Sequence, residues 1–249
     1  MTRLLEVCID SIASARAAIA GGADRLELCS GLTVGGLSPY PELLRQIRKE
    51  SNIPIRCLIR CRPGDFLYSS EEIELMAMQI RSLKAAGATG FVIGCLIPNG
   101  DLDKDALLPL IKAADGAPLT LHRCIDVSRD LTQTWRDAKE LGIDTVLTSG
   151  GAADCMKGLD TIGQLLALRD SEDGPEILIG AGVNADRIRT IRSRFPNARA
   201  FHASCKILME SGMIFRREDI PMGLPGLDEW HIQQTGEENV RQAKLALTE

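Results

Sequence analysis

Several kinds of segment are missing from this 249-residue chain, and each absence narrows what it does. No run of 18 or more apolar residues occurs, so no membrane-spanning helix is predicted. The sequence enters a predicted strand right after Thr2-Arg3, with no apolar leader core. Positive charge is not in excess: 29 Lys and Arg stand against 34 Asp and Glu, a formal net charge of −5, which argues against a nucleic-acid surface. A cytoplasmic protein without membrane or nucleic-acid partners is expected. The chain has eight cysteines (8, 29, 57, 61, 95, 124, 155 and 205) but no Cys-x-x-Cys, which excludes a zinc ribbon or a thioredoxin-type site. With nothing directing the chain out of the cell, these thiols are expected to stay reduced, most of them as small buried hydrophobes. There is no HExxH or other close histidine pair for a His-rich zinc site, and no GxSxG nucleophile elbow. The first strand runs into Asp10-Ser11-Ile12-Ala13 rather than GxGxxG, so no nucleotide cofactor is expected. No linker rich in Pro, Gly or Ser divides the chain.

What is present is a repeated strand–helix alternation. Strands are predicted over 4–9, 25–29, 55–61, 90–96, 118–124, 145–149, 176–181 and 200–204. Helices are predicted near 11–20, 40–50, 70–86, 103–114, 131–141, 158–169 and 185–194. Apolar residues recur at helical spacing, as in Ile73, Met76, Ala77, Ile80 and Leu83. Three helices run out at Gly22, Gly87 and Gly142, where glycine accepts the left-handed closing conformation. Caps are expected at Ser69 or Ser70, Asp103 and Asp130. Eight such units predict an α/β fold: a single (β/α)8 TIM-like barrel over 1–209. Residues 210–249 read as an extension with a loop at 221–226 and a helix from 237 to 247, packing on the barrel or at a subunit interface.

Strand alternation then selects a site. LLEVC and RLELC put Glu6 with Cys8, and Glu27 with Cys29, on faces opposite aliphatic ones. In a barrel the aliphatic faces meet the helices, so these carboxylates and thiols face the lumen. The same phase brings in Arg25, and from PIRCLIRCRPGDF it brings in Arg56, Leu58, Arg60 and Arg62. Strand 5 adds Thr120, His122 and Cys124, with Asp126 beyond its end, and strand 8 adds His202 and Ser204. Buried charges need partners, and Arg60 could neutralise one glutamate. Two nearby carboxylates push one pKa up unless a cation lies between them. Either a structural ion network or a site for acid–base work by Glu6, Glu27 or His122 on a small anionic compound satisfies this pattern. The glycine-rich ends of strands 6 and 7, with Ser149, Gly150, Gly180, Gly182 and Ser204, read as an anion position or as tight turns. No lysine lies on a predicted strand, so a Schiff-base aldolase is excluded.

The motifs LEVCIDSIASA, GGADRLELCSGL, VGGLSP, GDFLYSSEE, LHRCID, VLTSGG, GAGV and FHAS, in that order, closely resemble the CutC family of copper-homeostasis proteins. The likeness runs over about residues 4–205 and continues faintly through Ser211–Arg216. It implies a TIM-like barrel, a cytoplasmic location, a homodimer or larger assembly, and a role in copper trafficking or tolerance. It also implies Cu(I) as the bound ion, with Cys8 and Cys29 as its ligands; soft Cu(I) prefers thiolates, and adjacent strands stand about 4.8 Å apart. Where the family reads IRPRGGDF this chain has IRCRPGDF, and where it reads FHRAFD this chain has LHRCID. Cys61 and Cys124 are therefore extra thiols, and Cys124, expected to face inward, could join Cys8 and Cys29. The retained Arg60, Arg62, Asp65, His122, Arg123 and Asp126 look more like a substrate site than a metal site. Copper binding and enzymatic turnover of a small anion stay open side by side.

Overall fold

The computed structural model describes residues 3–217, 219–220, 223, 226 and 228–249. Eight parallel strands close into one barrel in sequence order: β1 (Leu4–Ile9), β2 (Arg25–Leu28), β3 (Ile55–Leu58), β4 (Gly90–Ile93), β5 (Leu119–Leu121), β6 (Thr145–Thr148), β7 (Glu176–Ile179) and β8 (Ala200–Ala203). The helices α1 (Ile12–Ala20), α2 (Pro41–Glu50), α3 (Ser70–Ala85), α4 (Lys104–Ala114), α5 (Leu131–Glu140), α6 (Leu159–Glu172) and α7 (Ala185–Arg194) follow the first seven strands. The (β/α)8 barrel expected from the strand–helix alternation is the observed fold.

Local chemistry sets the element ends. Ser69 caps α3 with a reciprocal bond to Glu72, while Asp103 and Asp130 accept from backbone amides of α4 and α5. Gly22, Gly87 and Gly142 have φ of +92°, +105° and +72°, which an L side chain would resist. The outward faces of the strands (Leu5, Val7, Ile9, Leu26, Leu28, Ile55) are fully buried against the helices. On α3 the predicted stripe Ile73, Met76, Ala77, Ile80 and Leu83 is the buried one.

β1 ends at Ile9 as expected, and the other seven strands end one to three residues earlier than the sequence pattern suggests. β3 stops at Leu58 and the chain leaves the barrel wall around Gly64, whose φ is +99°. β5 stops at Leu121, and Arg123–Val127 winds into a 3-10 turn capped by His122. Beyond these points the inward–outward alternation no longer applies.

The C-terminal part contains a hairpin that alternation did not indicate. β9 (Lys206–Glu210) pairs antiparallel with β10 (His231–Thr235). Of the stretch 221–226 expected to be loop, Pro221, Met222, Leu224 and Pro225 lie outside the described residues. The last helix, α8 (Glu237–Thr248), packs against α7, α1 and β1 and so fills the eighth helical position of the ring. Val240, Ala243, Ala246 and Leu247 bury its inner face, and Lys244 Nζ reaches Asp24 Oδ1 at 2.5 Å. No described helix is long and apolar enough to cross a membrane.

Candidate functional site at the barrel mouth

Three neighbouring strands carry the densest polar cluster. Register places Glu6 beside Arg25 of β2 and His202 of β8, and Cys8 beside Glu27. Glu6 is completely buried, and both its oxygens are taken. Arg25 Nε donates to Oε2 at 2.5 Å and His202 Nδ1 lies 2.8 Å from Oε1. Burial alone would raise its pKa, but the Arg25 charge and His202 reverse this and pull it down to about 2. Glu6 is thus a permanent carboxylate that orients its neighbours, not an acid or base near neutral pH. The counter-charge is Arg25, not the Arg60 that the sequence suggested.

Glu27 has the opposite environment. Burial is the largest influence and raises its pKa, opposed by the His202 charge and reinforced by Glu6. Of the three candidate acid–base groups, Glu27 is the one whose surroundings move it toward neutral pH. Its Oε2 accepts from Cys29 Sγ at 3.4 Å and stands 3.8 Å from His202 Nε2. Burial, then the Glu27 charge, hold the Cys29 thiol well above its ordinary value. Burial works against the charged form of His202, but the Cys8 sulfur and the two glutamates prevail and raise its pKa well above the usual histidine value. Cys8 Sγ, a Glu27 oxygen and a His202 ring nitrogen lie within 4.8 Å of one another.

Across a cavity of about 320 Å³, these residues and Cys29 face Leu58, Arg60, Phe66, His122, Arg123 and Leu147. Arg60 ties the rim together, donating to the Val34, Gly36 and Gly64 carbonyls and standing 5.3 Å from the Phe66 ring centre. His122 packs against Phe66 with ring centres 4.7 Å apart and planes tilted by 41°, and its Nδ1 accepts from the Cys124 amide at 3.1 Å. The ring proton therefore sits on Nε2, which has no hydrogen-bond partner among the described residues. Burial, then the Arg60 charge, bring the His122 pKa down to about 3. His122 is hence held as a neutral ring in the cavity wall. Gly94 makes room for it: an added Cβ would collide with the His122 imidazole and the Cys124 sulfur. Gly94→Ala is expected to cost about 1–3 kcal/mol and to shift the His122 ring resonances, as chemical denaturation and histidine NMR would show.

Other candidates stand elsewhere. Arg62 and Asp65 point away from the cavity. Arg62 pairs with Glu72 at the start of α3 (2.5 Å) and with Asp65 (3.1 Å), because β3 ended before they were reached. Cys124 is fully buried in the layer between strands and helices and does not line the cavity, because the 3-10 turn changed its phase. Ser204 lines a neighbouring cavity of about 170 Å³ with Cys8, Asp10 and residues of β10. The Gly182 carbonyl accepts from Arg187 at 2.9 Å. Ser149 and the β6 end are already occupied. The Asp126 carboxylate accepts from the Ser149 and Gly151 amides (3.0 Å each), Thr148 Oγ1 (2.5 Å) and Ser149 Oγ (2.9 Å), and Arg123 Nε balances it at 2.6 Å. The protein's own carboxylate thus fills that anion position. Sequence reasoning put Arg25 in the lumen without a role and passed over Phe66; the Arg25–Glu27–Cys29 alternation was the available signal for the first. A larger groove of about 1070 Å³ lies between α3 and α4, away from this chemistry.

Fold and site together define a TIM-barrel protein with a polar, thiol-bearing mouth. Comparison with known proteins narrows the class: the CutC family matches residues 3–207, and the chain belongs to it. A CutC family protein of Porphyromonas gingivalis is 39% identical over 244 residues, covering 98% of this chain and 97% of the relative. A human copper homeostasis protein cutC homolog is 38% identical over 220 residues, 88% of this chain and 80% of the relative. The crystal structure of CutC from Streptococcus agalactiae superposes with a TM-score of 0.76 at 25% identity, covering 82% of this chain and 99% of that one.

Proposed function

We propose that this chain is a cytoplasmic copper-homeostasis protein that binds Cu(I) at the barrel mouth through Cys8 and Cys29 and takes part in copper trafficking or tolerance. The observation that carries the reading is that both thiols line one cavity at the ends of adjacent strands. Two thiolates suit a soft monovalent ion. Cys29 is a thiol in the free protein, so binding displaces a proton, and Glu27, already accepting from that sulfur, is placed to take it. The reading includes a homo-oligomer, for which exposed Leu208, Ile214, Phe215 and Ile232 offer apolar surface. Titration of the reduced protein against a chromophoric Cu(I) chelator is expected to show binding that the Cys8→Ala, Cys29→Ala double variant loses. Unchanged binding in that variant sinks the ligand assignment.

A second reading is favoured by the unpartnered His122 Nε2. In it the mouth binds a small anionic metabolite. Arg60 and Arg123 supply positive charge, His122 donates to a ligand oxygen, and Glu27 moves the proton.

A further inference from the structure

We propose that the barrel mouth also holds a divalent cation of borderline softness, of the zinc or cobalt type, on Cys8 Sγ, the Glu27 carboxylate and His202 Nε2. The three side chains come from β1, β2 and β8, consecutive around the barrel, and their donor atoms converge within 4.8 Å. The second observation is how His202 is held. Its Nδ1 is 2.8 Å from Glu6 Oε1, and Arg25 fixes the other Glu6 oxygen. A carboxylate on one ring nitrogen, leaving the other free toward the remaining ligands, is the way metal-binding histidines are oriented. Nε2, the nitrogen on the side of Cys8, lies 3.8 Å from Glu27 Oε2 and gives up its proton when the ion binds.

The donor set selects the class of ion. Sulfur, imidazole and carboxylate together suit Zn2+ and its neighbours; Mg2+ and Ca2+ want oxygen only, and Cu(I) takes the thiols without the carboxylate. Three protein ligands leave one position of a tetrahedron open, as in catalytic zinc sites. All three ligands line the cavity, so the open position falls on the side of His122 and Arg123, where a small anion or water completes it.

This site shares only Cys8 with the thiol pair, so the two metal modes separate by mutation. Co2+ added to the reduced protein is expected to give a sulfur-to-cobalt charge-transfer band saturating at one ion per chain and abolished by Zn2+. The band is expected to persist in Cys29→Ala and to vanish in Cys8→Ala. Cobalt affinity is expected to fall by about 10–100-fold in Glu6→Gln, which removes the orienting charge and also leaves Arg25 without its carboxylate, and at least as far in Glu27→Gln and His202→Gln. Circular dichroism of each variant separates lost binding from lost folding. Should Glu6→Gln fail to fold, the Glu27 and Cys29 variants decide. No charge-transfer band overturns the proposal; so does a band that survives Cys8→Ala or disappears in Cys29→Ala. Loss of Cu(I) binding alone in Cys29→Ala leaves the divalent site standing, and a retained cobalt band without any Cu(I) binding overturns only the copper reading.

Discussion

Replacing Arg25 with methionine is expected to destabilise the protein by about 3–5 kcal/mol, because it strands a buried charge. Glu6 has no exposed surface and the Arg25 side chain is 11% exposed, so water cannot stand in for the lost guanidinium. The low Glu6 pKa, about 2, reflects that dependence: Arg25 is the largest influence opposing burial. His202 holds the other oxygen but has Glu27 to answer as well, so it cannot replace Arg25. Removing both charges in Glu6→Leu, Arg25→Met is expected to recover much of the loss, since a well-packed apolar pair often matches a buried ion pair. Surface pairs give the contrast. Arg16 and Glu50 make a similarly close bridge with side chains 65% and 41% exposed, and breaking it is expected to leave the stability nearly unchanged. Chemical denaturation near neutral pH checks all three. An Arg25→Met variant within about 1 kcal/mol of the parent would show that Glu6 is not left as a stranded charge.

The starts of the barrel strands were readable from the chain; apart from β1, their ends at the mouth were not. β1, β2, β3, β4, β6, β7 and β8 begin at the expected residues because aliphatic faces toward the helices must alternate with lumen residues from the first pair onward. At the mouth, turn geometry sets which way a side chain points. Arg62 is set by the turn near Gly64 and Cys124 by a 3-10 turn, so a period of two carried past Leu58 and Leu121 gave both the wrong side. The choice between Arg25 and Arg60 as the partner of Glu6 needed register, since both fall on the lumen face and only the β1–β2 pairing sets Arg25 beside Glu6. The β9–β10 hairpin was hidden for another reason. Its strands are separated by the 20 residues between Glu210 and His231, and their side chains are mostly exposed, so no apolar alternation marks them. The anion position at the end of β6 was visible as small residues, but that Asp126 fills it depends on a contact across 22 residues.

Acid is expected to weaken the protein through His122 well before most carboxylates titrate. The group is buried with a pKa of about 3 in the fold, against about 6.5 in the unfolded chain. Between those values the unfolded chain binds a proton that the folded one refuses, so stability falls as pH falls, with a slope approaching about 1.4 kcal/mol per pH unit. The other buried groups do not mimic this. His202, with its pKa raised, gives stability that is complete below about 6.5 and lost only as pH rises through its folded value. Glu6 loses its contribution only below about 4.5, toward its folded value of about 2. Glu27, raised by burial, acts in the opposite direction and partly offsets the loss. Comparison with His122→Gln cancels these shared terms. From about pH 7 to about pH 4.5 the parent is expected to lose about 2–3 kcal/mol more than the variant, measured as denaturation midpoints at matched ionic strength. Parallel curves would mean that His122 ionises inside the fold or that water reaches it. If the curves converge as expected, the imidazole is neutral wherever the protein is folded.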